Sequence, residues 1–269
     1  MNVEGAEVER HLGRSIMPRF HAGFSLGTVV GALAGAGLVG LDAPASWHLG
    51  VVATASCGLV WSTSRSFLPI PDLSHEERPG AYRAWLEPRT IVIGVMVLAL
   101  ALTEGTANDW LAVALVDGYD VSHPVGVAGF ALFVAAMTGC RFVGTDLIDR
   151  FGRVGVLWST MAAAGLGVVL IVFGQHPAVV AVGIVLWGAG AALGFPVGMS
   201  AAADDPSHAA ARVSVVSTIG YAAFLAGPPL LGFLGDEVGT LSSLLVVACV
   251  LVPAALAVPA ARQPVRLSG

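Results

Sequence analysis

Lysine is absent from this chain of 269 residues, and all 13 basic residues are arginine. That absence removes Schiff-base chemistry and the phosphate-gripping lysine of a P-loop. Charge of either sign is scarce, at 12% of residues, and no basic run occurs, so nucleic acid is not an expected partner. Cysteine is equally sparse. Cys57, Cys140 and Cys249 lie far apart in apolar sequence, where each reads as a small buried hydrophobe, with no disulfide and no metal cluster expected. The seven histidines contain no HExxH pair, so zinc hydrolysis has no support and no cofactor is expected. No cleavable leader is expected in the first residues either, because Glu4, Glu7, Glu9, Arg10 and Arg14 occupy the place of an apolar core.

What is present is apolar. Hydrophobic residues make up 56% of the chain and the mean hydropathy is +0.81, a balance that requires the lipid bilayer as solvent. A helix needs roughly 20 apolar residues to cross about 30 Å of hydrocarbon, and about eight such stretches occur. They run near Met17–Leu41, Trp47–Trp61, Ile91–Val116, Pro124–Val143, Val154–Phe173, Ala178–Ala201, Val213–Leu234 and Leu241–Ala260. The fold class expected is therefore an all-α membrane protein.

Arginine placement is an independent signal, because cytoplasmic loops gather positive charge. Arg10, Arg14 and Arg19 precede the first span, and Arg65, Arg78, Arg83 and Arg89 follow the second. Arg141, Arg150 and Arg153 lie at the fourth, Arg212 follows the sixth, and Arg262 and Arg266 close the chain. The alternate connections, Asp42–Ser46, Asp117–His123, Gly174–Pro177 and Gly235–Thr240, carry no basic residue. This pattern predicts a multi-pass protein of the plasma (inner) membrane with both termini cytoplasmic. The polar stretch Thr63–Pro88 divides it into residues 1–62 with two spans, a cytoplasmic linker over 63–88, and a six-helix bundle over 89–269.

Gly23, Phe24 and Gly35 align with Gly220, Tyr221 and Gly232 at one constant offset, as in transporters built from duplicated six-helix halves. Gly23, Gly27, Gly31 and Gly35 recur every four residues and predict a face on which another helix packs closely. Glycines 188, 190 and 194 with Pro196, and Gly227 with Pro228 and Pro229, predict weakened helices with freed backbone carbonyls. Gly23-Phe24-Ser25-Leu26-Gly27 has the form of a nucleophile elbow and Gly35 to Gly40 that of a dinucleotide fingerprint, but neither follows a strand, so neither predicts an enzyme.

Asp149-Arg150-Phe151-Gly152-Arg153 resembles the Asp-Arg-x-Gly-Arg cytoplasmic loop motif of the major facilitator superfamily, with Gly144 and Asp146 ahead of it. Counted from Ile91, it follows the second helix of a six-helix half, as in that family. Within the superfamily the chain resembles a sugar-permease-like or uncharacterised inner-membrane branch, on Met1 to Gly5 with Val8-Glu9, His21 to Gly27, Glu104-Gly105 and Asp109-Trp110. The resemblance implies a partial fold of that type: the end of an N-terminal bundle and a complete C-terminal one. Met1 then falls near the end of the family's fourth helix, which implies a misassigned start or a truncated gene.

Glu104 is the leading candidate for function, since an ionisable group about 21 Å into hydrocarbon is expensive. Asn108 falls one turn later on the same face. Together they would meet a polar substrate or a coupling proton; the alternative is a structural hydrogen bond between helices. His21, entering the first span, is either a substrate or proton-pathway group or an interfacial residue. Arg141, Asp146, Asp149, Arg150, Gly152 and Arg153 form a candidate cytoplasmic gate, with Arg141 alternatively snorkelling to water as a structural residue. Trp110 reads as a headgroup anchor. The function expected is secondary transport of a small polar solute, a sugar by resemblance, driven by an ion or proton gradient or by substrate alone. A non-transporting scaffold or transporter remnant is the alternative.

Overall fold

The structure is a computed structural model that describes residues 2–40, 44–66 and 81–263. Most of the expected linker, including Pro69, Asp72 and Arg78, lies outside the described residues, as do Asp42 and Arg266. The elements are α1 (Asn2–Leu12), α2 (Met17–Gly40), α3 (Ala45–Ser64), a 3-10 turn (Ala81–Leu86), α4 (Pro88–Tyr119), α5 (His123–Phe173), α6 (Pro177–Ala191), α7 (Gly194–Ala202), α8 (Ala209–Val238), α9 (Thr240–Ser243), α10 (Leu245–Ala257) and a final 3-10 turn (Val258–Ala261). Among the described residues there is no strand.

Among the described residues, five helical stretches, Pro88–Tyr119, His123–Phe173, Pro177–Ala202, Ala209–Val238 and Thr240–Ala261, are long and apolar enough to cross a membrane. One of them, α5, has 51 residues. At 1.5 Å per residue that is about 76 Å, enough for two crossings of a bilayer core of about 30 Å. Its only non-helical residue is Gly152, with φ 72° and ψ 160°, a conformation glycine reaches without a Cβ clash. The segment expected as a loop is therefore helical on both sides of a single-residue break. The helices of residues 88–261 are thus long enough for six passes, while α2 and α3 cover the first two expected spans.

Starts and stops follow local chemistry. Pro88, Pro124 and Pro177 stand in the first turns of α4, α5 and α6, where a missing N–H costs nothing. The sixth span breaks between Ala191 and Gly194, whereas α8 runs unbroken through Pro228 and Pro229. Helix α4 lies at the centre, with Ile93, Met96, Val97 and Leu100 buried against α5, α7, α8 and α10. The outer faces are apolar and exposed, as at Trp158, Phe173, Phe233 and Leu256, because lipid replaces protein there.

Three expectations fail here. Cys57 and Cys249 are exposed rather than buried, since an apolar side chain in lipid needs no protein cover. Gly23, Gly27 and Gly31 have no neighbour within 4 Å of where a Cβ would stand, so the glycine face is not a packing face among the described residues. The surroundings of Gly35 lie outside the described residues. Helix α2 turns its other side to the bundle, burying Met17, His21, Ala22 and Ser25. Trp110 packs beside Gly232 of α8, with its indole nitrogen buried, instead of standing free at an interface.

Candidate functional site

Two clusters of charge sit within this frame. The first is inside the bundle and centres on Arg141 of α5, a fully buried guanidinium. Its Nε donates to the carbonyl of Ala192 at 3.1 Å, one terminal nitrogen donates to Ser25 Oγ, and the other donates to Glu104 Oε2 at 2.7 Å. The Ala192 carbonyl is available because the helix breaks there, between α6 and α7. Ser25 Oγ in turn donates to the carbonyl of His21 at 3.1 Å. Four separate stretches of chain therefore meet at one cation.

Glu104 keeps 17% of its side chain exposed, and only its Oε2 is engaged by Arg141. Asn108, one turn on, is exposed. His21 is buried with its ring centroid 5.5 Å from that of Phe195, and its Nε2 has no hydrogen-bond partner among the described residues. Phe195 stacks on Tyr221 of α8 at 5.6 Å, and Tyr221 meets Phe224 at 6.5 Å. The structure thus brings His21, Glu104 and Arg141 into one neighbourhood. Arg141 shares no partner with the motif residues with which the sequence grouped it.

The second cluster lies at the Arg-rich end. Asp204, nearly buried, accepts from Arg89 at 2.6 Å and from Arg153 at 2.5 Å, tying the start of α4 to the second half of α5. Asp146 and Asp149 lie 3.6 and 3.5 Å from Arg14, in the turn before α2. Arg150 lies over the ring of Phe151, 5.2 Å from its centroid. Gly152 supplies the break. Sequence reasoning missed Asp204, whose only signal is the Asp204-Asp205 pair directly after the sixth span.

Glu87, preceding α4, accepts from Arg212 at 2.6 Å and from Thr90 at 2.9 Å. The Arg212 hydrogen bond holds the Glu87 carboxyl below its ordinary value of 4.5, against the opposing effect of burial. A lowered folded-state value means the pair stabilises the fold at neutral pH and ceases to do so as pH falls through that value. Thermal unfolding in detergent at pH 7 and at about pH 4 should show a smaller acid-induced loss for Glu87→Gln than for the wild type. An equal loss in both would mean that this pair contributes nothing.

Residues 15–211 and 125–267 match the sequence profile of the Major Facilitator Superfamily. The chain belongs to that superfamily. It is 33% identical over 238 residues to an uncharacterised transporter of Sinorhizobium fredii, covering 88% of this chain and 63% of the relative. It is 29% identical over 240 residues to an uncharacterised transporter of the same type from Yersinia pestis, covering 88% and 61%. The chain therefore spans less than two thirds of the length of these relatives. Among solved structures, it superposes on the human organic anion transporter MFSD10 with a TM-score of 0.73 at 18% identity, covering 96% of this chain and 66% of that one. It superposes on the superfamily transporter FucP, in the outward conformation, with a TM-score of 0.67 at 14% identity, covering 81% and 54%. The superfamily makes this a membrane protein with a partial major-facilitator fold, of a transporter family and not an enzyme family.

Proposed function

We propose that this superfamily member is part of a secondary transporter that moves a small polar solute by alternating access, with Glu104, Asn108 and His21 on the solute or proton pathway. The observation that carries the reading is the Glu104–Arg141 pair. Burying two charges is expensive, and this pair leaves one carboxylate oxygen uncommitted at a partly open position. Because Arg141 already balances Glu104, the site has little net charge to offer an anion. It suits a neutral solute with several hydroxyls, such as a sugar, or a proton that reports on Glu104.

Residues 1–62 and 89–269 are then two bundles joined by the 63–88 linker, and the Arg-rich end is cytoplasmic by the arginine rule. The burial of α2 supports a shape closed at that end. Met17, His21, Ala22 and Ser25 are covered, whereas Leu26, Gly27, Thr28, Val30 and Gly31 are exposed. A wedge between α2 and the C-terminal bundle therefore widens away from the arginines.

Uptake into proteoliposomes of labelled hexoses and of small organic acids, by the chain and by a form extended to its relatives' length, tests the reading. Uptake by the extended form should fall at least about 100-fold in Glu104→Gln, on the scale of losing one essential charged contact. Normal uptake in that variant would remove Glu104 from the pathway, and no uptake of any solute by either form would favour a non-transporting scaffold.

A further inference from the structure

Of the expected gate residues, Asp146 and Asp149 make only loose contacts with the N-terminal part, Arg153 closes on Asp204 within the C-terminal part, and a residue outside the motif makes close contacts to both sides. Asp146 and Asp149 stand 3.6 and 3.5 Å from Arg14, and all three side chains are more than 40% exposed. Such pairs are screened by water and contribute little. Glu9, in the last turns of α1, is partly buried and uses both oxygens. Its Oε1 accepts from the backbone N–H of Met17 at 2.7 Å, and its Oε2 accepts from Ser200 Oγ at 2.6 Å.

We infer that Glu9 is the principal contact holding the two bundles together at the Arg-rich end, an inference that rests on the transport reading above. Its two bonds do different work. The bond to Met17 stays within the N-terminal part, capping α2 where free N–H groups and the helix dipole favour a carboxylate. The bond to Ser200 crosses to α7, whose nine residues are all buried, so α7 moves only as part of its bundle. Both are short, charge-assisted hydrogen bonds, which are stronger than neutral ones.

The surroundings fit a closure. A cavity of about 1000 Å³ lies beneath α1, lined by Glu9, Arg14, Ser15, Asp149, Ser200 and Ala203 among others. Gly5 of α1 sits against Met17 and Phe20 of α2, while α1 also touches α7 and α8, so α1 lies across the seam between the two parts. Pro18 of α2 abuts Gly144 of α5, where a Cβ would come within 3.1 Å. Rocking α1 and α2 away from the C-terminal bundle opens this cavity and must break the Glu9–Ser200 bond at its mouth along with the deeper Arg141–Ser25 bond.

The test uses the full chain in proteoliposomes, in a background with its three cysteines replaced, and two reporters read by maleimide labelling. Ala203→Cys lines the cavity at the Arg-rich end, and Thr28→Cys lies on the exposed stretch of α2. Ser200→Ala removes only the crossing bond, and Glu9→Ala removes both. Each should raise labelling at residue 203 by about tenfold, the scale of one lost charge-assisted hydrogen bond, and lower labelling at residue 28. Asp149→Asn should change either reporter less than about twofold. A rise at 203 with no fall at 28 would show local fraying of α1 and overturn the gate. Opposed changes in Asp149→Asn but not in Ser200→Ala would transfer the role to the motif. Failure of the transport reading is separate, because it appears as absence of solute uptake while the two labelling changes remain readable.

Discussion

Replacing Arg141 by methionine should destabilise the protein by about 3–5 kcal/mol, the cost of breaking a buried ion pair by removing one partner. Arg141 is fully buried and supplies donors to Glu104, Ser25 and Ala192. Without it, Glu104 retains an uncompensated charge, and the Ala192 carbonyl, left free by the helix break, loses its partner. Methionine keeps much of the volume, so the loss is one of charge and hydrogen bonding more than of packing. Glu104→Gln alone should also destabilise, because it leaves the guanidinium unpaired. The double variant should recover part of the loss, since neither charge then remains. Thermal unfolding in detergent, run as a double-mutant cycle, measures this directly. Additive losses would mean that the two residues do not act as a pair.

Gly190→Leu should be at least as damaging, because it strikes backbone rather than a side chain. A Cβ at Gly190 would collide with the Ala164 nitrogen of α5 and stand 2.5 Å from the Thr160 oxygen. Gly183, two turns earlier on α6, would meet the Gly167 oxygen at 2.7 Å, and Gly167 would meet the Gly183 oxygen at 2.5 Å. The second half of α5 and α6 therefore cross with their backbones in contact, which only small residues allow. A flexible side chain can rotate away from an intruder, whereas two helices can only separate. The expected loss exceeds about 3 kcal/mol, the upper part of the overpacking range, and should appear as little or no monodisperse protein on gel filtration. Gly139→Leu is the matched control. It has nothing within 4 Å and should leave yield unchanged. Equal behaviour of the two variants would show that the crossing is not tight.

Much of the architecture was legible because membrane helices follow rules with few exceptions. Apolar length marks the spans, since unsatisfied backbone groups cannot survive in hydrocarbon. Pro88, Pro124 and Pro177 mark three helix starts, and Gly152 marks the break in α5. Packing was less legible. The four-residue glycine spacing of α2 promised a close neighbour, and the close approaches occur instead at Gly167, Gly183 and Gly190, whose spacing forms no comparable stripe.

The candidate site divides in the same way. Glu104 stands out by residue type alone, because a carboxylate deep in an apolar run is costly unless it meets a partner or a pathway. Its partner does not stand out. Arg141 lies 37 residues away, in the next crossing, and one-dimensional spacing assigns it as readily to the motif that follows it. Glu9 is harder still, since it stands among several acidic residues in an ordinary polar helix, and only the fold places it at 2.6 Å from Ser200, 191 residues later.

The sequence by itself determined that the chain lives in lipid and which stretches gather positive charge, and its Asp149–Arg153 motif pointed to the superfamily it joins. The first two follow from local composition summed over about 20 residues, the length that the bilayer imposes, and the third from resemblance to a family motif. Only the tertiary structure decided that Arg141 pairs with Glu104 through a broken helix, that α5 and α6 touch through backbone, and that Glu9 bridges to α7. Each of these depends on atoms from distant stretches arriving within about 3 Å of one another, and periodicity along a single helix carries no record of which helix will face it.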